Sequence, residues 1–181
     1  HAIHVHLTGE GDRQYQDFKD RPLAHLGRSL AEGFAYQGEA SSFRAGQARG
    51  LPSTDLLPLA YVNFLQNHDQ IGNRPLGERL ERLISSDAMD AALAVLLLAP
   101  AVPLLFMGQE YAASQPFLFF CDFEPALAAA VREGRAREFA EWHSNHAQGI
   151  QVPEPNDPTS FEQCRLDWRE RERPAHETRL A

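Results

Sequence analysis

Two adjacent side chains that could take part in catalysis, His68 and Asp69, lie in a run of polar residues. The run, residues 66–70, reads Gln-Asn-His-Asp-Gln and follows a β-prone apolar stretch at residues 62–65. A β-branched and aromatic stretch followed by polar residues is typical of a strand end, and Gly72 marks a turn beyond it. We therefore expect His68 and Asp69 to lie where a strand opens into a loop.

An Asp that follows a His at a strand end can be a catalytic carboxylate, a metal ligand or a hydrogen-bonding group of a turn. Asp and Asn are frequent in turns because their side chains bond to nearby backbone, so the residues alone leave these alternatives open. The four side chains of residues 66–69 offer donors and acceptors without bulk. Such a set suits a site for a polyhydroxylated ligand.

Metal and cofactor sites are not favoured by the other motifs. The pairs His4 with His6 and His143 with His146 have spacings that a metal site could use, but no carboxylate or cysteine framework accompanies them. No nucleophilic serine elbow, phosphate-binding glycine loop or dinucleotide fingerprint occurs. We expect no metal and no cofactor.

Two further groups of side chains have a structural and a functional interpretation. The arginine-rich residues 132–137 surround Gly134, and a solvated helix end is the favoured interpretation. The aromatic set Phe117, Phe119 and Phe120 could stack on sugar rings, but packing across a loop is favoured.

Composition limits the classes of partner. The chain has 181 residues, of which 43% are apolar, and a net charge of −8. This charge argues against a nucleic acid partner, because phosphate binding needs clustered Lys and Arg. Residues 91–108 lack charged and polar side chains, but Pro100 and Pro103 would break a membrane-spanning helix, so we expect no membrane insertion. Cys121 and Cys164 are expected to be reduced.

The first half of the chain predicts strands and helices in alternation. The alternation in residues 2–7 favours a strand, although six residues do not exclude a helix. Pro22 begins a helix with apolar residues at spacings of three and four, and residues 36–58 predict a long exposed loop. After the strand at residues 62–65, the pattern predicts a short helix at 78–84 and a helix at 88–99, with N-cap candidates at 85–87.

A second buried strand is expected at residues 102–107, which with the first indicates a parallel sheet covered on both faces. Downstream, Pro125 predicts a helix that ends at Gly134, followed by another helix at 135–142. Prolines at 153–158 predict a stiff connector, and Thr159 with Glu162 has the capping-box spacing of a short helix. Residues 165–173 predict a solvated surface.

Several of these segments together resemble a known family. Residues 66–70, followed by Gly72-Asn73-Arg74, are similar to the fourth signature region of the α-amylase superfamily, in the form seen in malto-oligosyltrehalose trehalohydrolases. Residues 104–111 resemble the eighth barrel strand of that family. Residues 1–10, 115–122 and 132–139 also agree with it, so the resemblance covers most of the chain.

The resemblance implies an α/β fold that is part of a (β/α)8 TIM barrel, with strands 7 and 8 and flanking helices. Residues 1–145 would be the C-terminal portion of the barrel. Residues 146–181 would be a Pro-rich connector and short helix leading toward the last barrel helix. We expect a fragment of a larger protein, whose open sheet edges and uncovered apolar face favour self-association.

The implied function is hydrolysis of the α-1,4 bond next to the terminal trehalose of malto-oligosyltrehalose, in trehalose biosynthesis in the cytoplasm. Asp69 would stabilise the transition state of a retaining mechanism. The substrate-binding residues would be His68, Asn67, Gln66, Gln70 and Glu110. In the family the nucleophile and the general acid lie before the segment that these residues resemble, so the 181 residues alone are expected to be inactive.

Two other functions remain open at this point. One is transglycosylation of α-glucans, as in branching enzymes, which share the His-Asp pair but differ after the eighth strand. The other is a non-catalytic fragment that binds sugar weakly or has only a structural role.

Overall fold

The structure of the chain, a computed structural model, describes residues 1–146, 151–174 and 176, and for residues 140–146 only the backbone. Residues 147–150 of the predicted connector, and residues 175 and 177–181, lie outside the described residues. The chain forms two compact units. Unit 1 comprises His1–Leu65 and Leu80–Leu105, and unit 2 comprises Gln66–Arg79 and Phe106–Ala181.

Unit 1 contains a parallel pair of very short strands, β1 (Val62–Asn63) and β2 (Val102–Pro103). The Val102 amide donates to the Tyr61 carbonyl at 3.0 Å, and the Leu104 amide donates to the Asn63 carbonyl at 2.8 Å. A strand in each predicted region and their parallel pairing are confirmed.

The prediction of a buried second strand, in a sheet covered on both faces, is wrong. The ladder of β2 ends at Pro103, and Val102, Leu104 and Leu105 are about two fifths exposed. Val62, on β1, is 55% exposed. The apolar run predicted burial, but these side chains expose apolar surface that none of the residues described in unit 1 covers.

The predicted strand at residues 2–7 is also wrong, because helix α1 spans Ala2–Thr8. Gly9, with φ 75°, closes the helix by donating its amide to the Val5 carbonyl. His4 is buried although it was the polar member of the alternation: its ring stacks on Tyr15 at 4.3 Å, and its Nε2 lies 2.9 Å from a Glu10 carboxylate oxygen. His6, the other polar member, is exposed, so the two polar positions lie in different environments and the strand pattern does not hold.

The other helices of unit 1 follow their local signals. Helix α2 spans Pro22–Glu32, with proline in its first turn as predicted. Helix α4 spans Ser86–Leu98, and the Ser85 hydroxyl accepts a hydrogen bond from the Ala88 amide at 3.2 Å, which confirms the N-cap. The predicted helix at 78–84 is only a 3₁₀ turn, Leu80–Arg82. Further 3₁₀ turns are Arg13–Phe18 and Pro58–Ala60.

The core of unit 1 consists of two groups of apolar side chains. One group packs α1 against α4 and contains Ile3, Leu65, Leu80, Met89, Ala92 and Leu96. The other packs α1 against the turn at Arg13–Phe18 and contains Ala2, Val5, Tyr15, Phe18 and Ala35. Helix α1 therefore contributes to both groups, which explains why it is buried along its first turn.

The predicted loop at residues 36–58 is confirmed as a segment without α-helix or extended strand; it contains a single bridge between Ala40 and Ala48, and its last residue, Pro58, begins a 3₁₀ turn. Its inner side is organised around Asp17, whose side chain is fully buried. Asp17 accepts hydrogen bonds from the hydroxyls of Ser41 and Ser42, the amide of Phe43 and the guanidinium of Arg49, at 2.6–3.0 Å.

In unit 2, helix α3 spans His68–Gly72, α5 spans Pro125–His146 and α6 spans Pro158–Gln163. The 3₁₀ turns Gln109–Tyr111 and Trp168–Glu172 complete the described elements. The prediction that Gly134 ends a helix is wrong, because α5 continues through it. One glycine costs a helix only about 1 kcal/mol relative to alanine, and its flanking residues are good helix formers.

The short helix after the proline-rich stretch is confirmed as α6, but its N-cap is Asp157 rather than Thr159: Asp157 accepts from the Thr159 amide at 2.8 Å. Cys164, just after α6, is buried with a free thiol, and its Sγ lies 3.1 Å from the Leu118 amide nitrogen and the Ser160 carbonyl oxygen. Burial raises the pKa of this thiol. Among the described residues, none of the helices combines the length and the apolar composition that a membrane span requires.

Asp17 gives a pH-dependent prediction. Burial alone would raise its pKa, but the hydrogen bonds from Phe43, Ser41 and Arg49 outweigh it and hold the pKa well below its ordinary value. Ionised Asp17 therefore stabilises the fold above the unfolded-state pKa of about 4, and this contribution is lost as the pH falls below that value.

We expect Asp17→Ala to lower the free energy of unfolding at pH 7 by about 3–5 kcal/mol, because it leaves Arg49 without its partner. The loss should shrink as the pH falls below about 4, where the native protein also loses the contribution of ionised Asp17. Urea unfolding at several pH values measures this, with the exposed Asp20→Ala as control. A loss for Asp17→Ala that is equal at pH 7 and pH 3 would contradict the assignment.

Candidate active site

The polar run that the sequence singled out forms the start of a short helix. Asn67 has an extended backbone, and its Oδ1 accepts a hydrogen bond from the Gln70 amide at 3.0 Å. It is thus the N-cap of α3, and His68 and Asp69 occupy the first turn. The prediction of a loop here is wrong. Because Asn67 accepts a hydrogen bond from a free amide of the first turn, the helix begins directly after it, at His68.

His68 and Asp69 lie side by side at the surface. The Nε2 of His68 is 3.2 Å from the Oδ1 of Asp69, and the two side chains are 69% and 71% exposed. The pair therefore presents a carboxylate and an imidazole that a ligand can reach from solvent. Together they can accept and donate hydrogen bonds to neighbouring hydroxyl groups.

Two other predicted residues of the run, Gln66 and Gln70, have buried side-chain atoms. Gln66 is 2% exposed, and Ile71, which follows Gln70, is equally buried. Both polar atoms of the Gln70 amide are buried and have no hydrogen-bond partner among the residues that the structure describes. A buried amide without partners is costly, so Gln70 has the capacity to bind a hydroxyl group or a water molecule.

Glu110 comes from a different segment of unit 2, the turn Gln109–Tyr111. Its neighbours Gln109 and Tyr111 are completely buried, whereas Glu110 is half-buried. The residues on either side of the turn, Gly108 and Ala112, both have left-handed backbone, with φ 84° and 56°. Asn67 therefore contacts Gln70, and His68 contacts Asp69. Glu110 belongs to a separate segment of the chain.

Arg79 was missed by the sequence analysis, although it supports the segment that carries Glu110. It is 1% exposed, and it donates from Nε to the Gln115 carbonyl at 2.6 Å and from a terminal nitrogen to the Met107 carbonyl at 2.8 Å. Its guanidinium also lies over the Phe106 ring, 5.4 Å from the centroid. Nothing in its local sequence distinguishes it from a surface arginine.

The prediction of a solvated helix end at residues 132–137 is wrong for Arg135, whereas Arg132 and Arg137 are exposed as expected. Arg135 lies within α5, is 8% exposed, and its guanidinium carbon is 4.4 Å from the Phe119 centroid and 4.8 Å from the Phe139 centroid. A terminal nitrogen donates to the Gly72 carbonyl, at the end of α3, at 3.4 Å. Burial lowers the pKa of Arg135, against the opposing charge of Glu138.

The aromatic set packs as the favoured interpretation predicted. Phe117 meets Phe106 and Phe120 edge to face, at centroid distances of 5.1 and 5.7 Å. Phe119 contacts Arg135. Of the predicted histidine pairs, His4 contacts Glu10, and the side chains of His143 and His146 lie outside the described residues. Among described residues, no three His, Cys, Asp or Glu side chains are grouped to hold a metal ion.

The cap of α3 can be tested separately from ligand binding. We expect Asn67→Ala to lower the free energy of unfolding by about 1 kcal/mol, because the Gln70 amide loses its acceptor, and Asn67→Asp to retain stability. Urea unfolding provides the measurement, with the exposed Asn73→Ala at the other end of α3 as control. Equal stability of Asn67→Ala and the unmodified protein would exclude the capping role.

At Gly77 the chain that follows α3 packs closely against the backbone of Phe117. The Gly77 carbonyl accepts from the Phe117 amide at 2.9 Å, the φ of Gly77 is 60°, and an added Cβ would lie 2.5 Å from the Phe117 carbonyl group. We expect Gly77→Ala to destabilise unit 2 by about 2–5 kcal/mol, through backbone strain and overpacking together.

Gly46→Ala is the matched control for Gly77→Ala, because Gly46 has φ 83° but open space around its Cβ position. It should cost only the backbone strain, about 1–2 kcal/mol. Urea unfolding of both variants compares them. If the two substitutions cost the same, the close approach to Phe117 has no energetic importance.

Comparison with known proteins gives a consistent result, although no protein-family model matches the chain. Curated relatives named malto-oligosyltrehalose trehalohydrolase include one from Brevibacterium helvolum, 43% identical over 93% of this chain and 28% of the relative. Another, from Arthrobacter ramosus, is 39% identical over 100% of this chain and 31% of the relative. A third, from Saccharolobus solfataricus, is 38% identical over 93% of this chain.

A crystal structure of a protein described as an alpha amylase, from Salmonella typhimurium, is 50% identical with a TM-score of 0.91, over 99% of this chain and 30% of that chain. The chain thus spans between 28% and 31% of the length of the relatives from Brevibacterium and Arthrobacter. The resemblance expected from residues 66–74 and 104–111 is confirmed: over nearly its whole length this chain is related to one segment of the malto-oligosyltrehalose trehalohydrolases, which are glycosidases.

Proposed function

We propose that this chain is part of a glycoside hydrolase that cleaves the α-1,4 bond next to the terminal trehalose of malto-oligosyltrehalose and releases trehalose. The names of the relatives support this reaction, and the similarity to an alpha amylase supports the wider class of hydrolase. The structural observation that carries the proposal is the exposed pair of His68 and Asp69 on the first turn of α3.

In this proposal Asp69 stabilises the transition state. The sugar ring flattens as positive charge develops toward an oxocarbenium ion, and hydrogen bonds from ring hydroxyls to a carboxylate strengthen during that change. Asp69 is 71% exposed, so its oxygens can receive such bonds, and the adjacent His68 can bind a hydroxyl of the same sugar. Gln70 and Glu110 would contribute further contacts to the substrate.

A retaining glycosidase needs two more carboxylates, a nucleophile and a general acid. In this proposal neither belongs to the 181 residues, so these residues alone form no covalent intermediate and protonate no leaving group. The catalyst is the complete polypeptide that contains them, and the segment supplies part of the substrate site.

We also propose that β1 and β2 are the seventh and eighth strands of a (β/α)8 barrel. Their parallel pairing, with α4 between them in the chain, supports this. The side chains of Val62, Val102, Leu104 and Leu105 expose apolar surface that further strands and helices of a barrel would cover. Without such cover, the same surface favours self-association.

The role of Asp69 is tested in the complete natural polypeptide that contains these residues. We expect Asp69→Asn to lower kcat for trehalose release by at least about 100-fold, because a neutral amide stabilises the developing positive charge far less than a carboxylate. Release is measured by chromatography of the products. Asp87→Asn is the control, since Asp87 is also an exposed aspartate in the first turn of a helix.

Trehalose release that survives Asp69→Asn would contradict the role of Asp69. Release by the isolated 181 residues would contradict the proposal that the nucleophile and general acid lie elsewhere.

A further inference from the structure

Glu170 is a buried carboxylate in a segment of mixed charge that the sequence predicted to be solvated. It lies in the 3₁₀ turn Trp168–Glu172 and is 3% exposed, whereas its neighbours Arg169 and Arg171 are exposed. A charged side chain rarely becomes this buried unless it is paired and hydrogen-bonded. The partners of Glu170 therefore indicate its role.

The principal partner of Glu170 is Ser114, 56 residues earlier in the chain. The Ser114 amide donates to one carboxylate oxygen at 3.0 Å, and the Ser114 hydroxyl donates to the other. A terminal nitrogen of Arg173 lies 3.5 Å from Glu170 on its exposed side. Burial alone would raise the pKa of Glu170, but the hydrogen bonds from Ser114 lower it, so the carboxylate is ionised.

Ser114 is close to the end of the segment that presents Glu110. That segment, residues 107–115, has little regular structure and depends on contacts from outside it. Arg79 binds the carbonyls at its two ends, Met107 and Gln115. His176 adds a contact of 2.7 Å from its Nδ1 to the Tyr111 carbonyl oxygen.

Van der Waals contact also joins the same two regions of unit 2. A Cβ added to Gly108 would lie 2.8 Å from a methyl carbon of Leu166, so the chain near residue 166 packs directly on the start of the segment. Leu166, His176 and Glu170 therefore contact residues 107–115 near the beginning, the middle and the end of that segment. Glu170 supplies the charge-assisted hydrogen bonds among these contacts.

We propose that Glu170 is a positioning residue, which fixes the conformation of residues 107–115 through Ser114 so that Glu110 is presented to the sugar substrate. This inference rests on the proposed function. Charge-assisted hydrogen bonds are stronger and more directional than neutral ones, and two of them on one residue fix its amide and its hydroxyl together. Loss of the carboxylate would release the segment rather than remove a group that touches the substrate.

The test uses steady-state kinetics of the complete natural polypeptide with malto-oligosyltrehalose. We expect Glu170→Ala to raise KM by about tenfold with kcat changed less than about twofold, because a binding contact is lost while the reacting groups stay in place. Glu170→Gln should restore part of the affinity, since its single amide oxygen can still accept one hydrogen bond from Ser114. Glu172→Ala, an exposed glutamate of the same turn, should leave KM unchanged.

A double variant separates positioning from general stability. If Glu170 acts through Glu110, Glu110→Ala raises KM, and adding Glu170→Ala to it raises KM no further. A double variant whose KM is the product of the two single effects would overturn the proposal. So would a Glu170→Ala protein that loses thermal stability and keeps its KM.

Amide hydrogen exchange distinguishes failure of this inference from failure of the proposed function. If the unmodified polypeptide releases no trehalose, the proposed function is wrong, and the presentation of Glu110 to that substrate is overturned with it. The contact itself is still tested: faster exchange at Ala113 and Ser114 in Glu170→Ala, but not in Glu172→Ala, supports fixation of the segment by Glu170. Equal exchange in both variants overturns it.

Discussion

Backbone that lies against the interior without regular structure must find hydrogen-bond partners, and in this chain buried charged side chains provide many of them. Asp17 serves the long loop of unit 1, and Arg79 and Glu170 serve the segment that carries Glu110. Arg135 binds the end of the helix that carries His68 and Asp69. The conformation of both parts of the candidate site therefore depends on charges that are not themselves exposed to a ligand.

Sequence signals that act over a few residues predicted the structure well. Pro22 starts α2 and Ser85 caps α4, because each determines the geometry of a single turn. The exposed pair of His68 and Asp69 was also identified from neighbouring residues, although Asn67 turned the expected loop into a helix. The apolar pattern at residues 102–107 indicated an apolar surface correctly, but a pattern cannot show what covers that surface.

Signals that depend on distant partners were missed, for a physical reason. A charged residue in a polar stretch is normally solvated, so Arg135 and Glu170 were assigned to the surface. Their burial follows from partners that are 63 and 56 residues away in the chain, Gly72 and Ser114. The predictions at Gly134 and at residues 2–7 were wrong for a different reason. The free-energy cost of one glycine is too small to end a helix, and a pattern of six residues is too short to distinguish a strand from a helix.

The thiol of Cys164 makes unit 2 accessible to a simple chemical probe. It is buried, its Sγ lies within hydrogen-bonding distance of the backbone of Leu118 and Ser160, and its raised pKa leaves little thiolate at neutral pH. An alkylating reagent can therefore reach it only when the packing between residues 118 and 164 opens. The rate of alkylation at Cys164, measured separately from that at the less buried Cys121, therefore reports transient opening of the packing between residues 118 and 164.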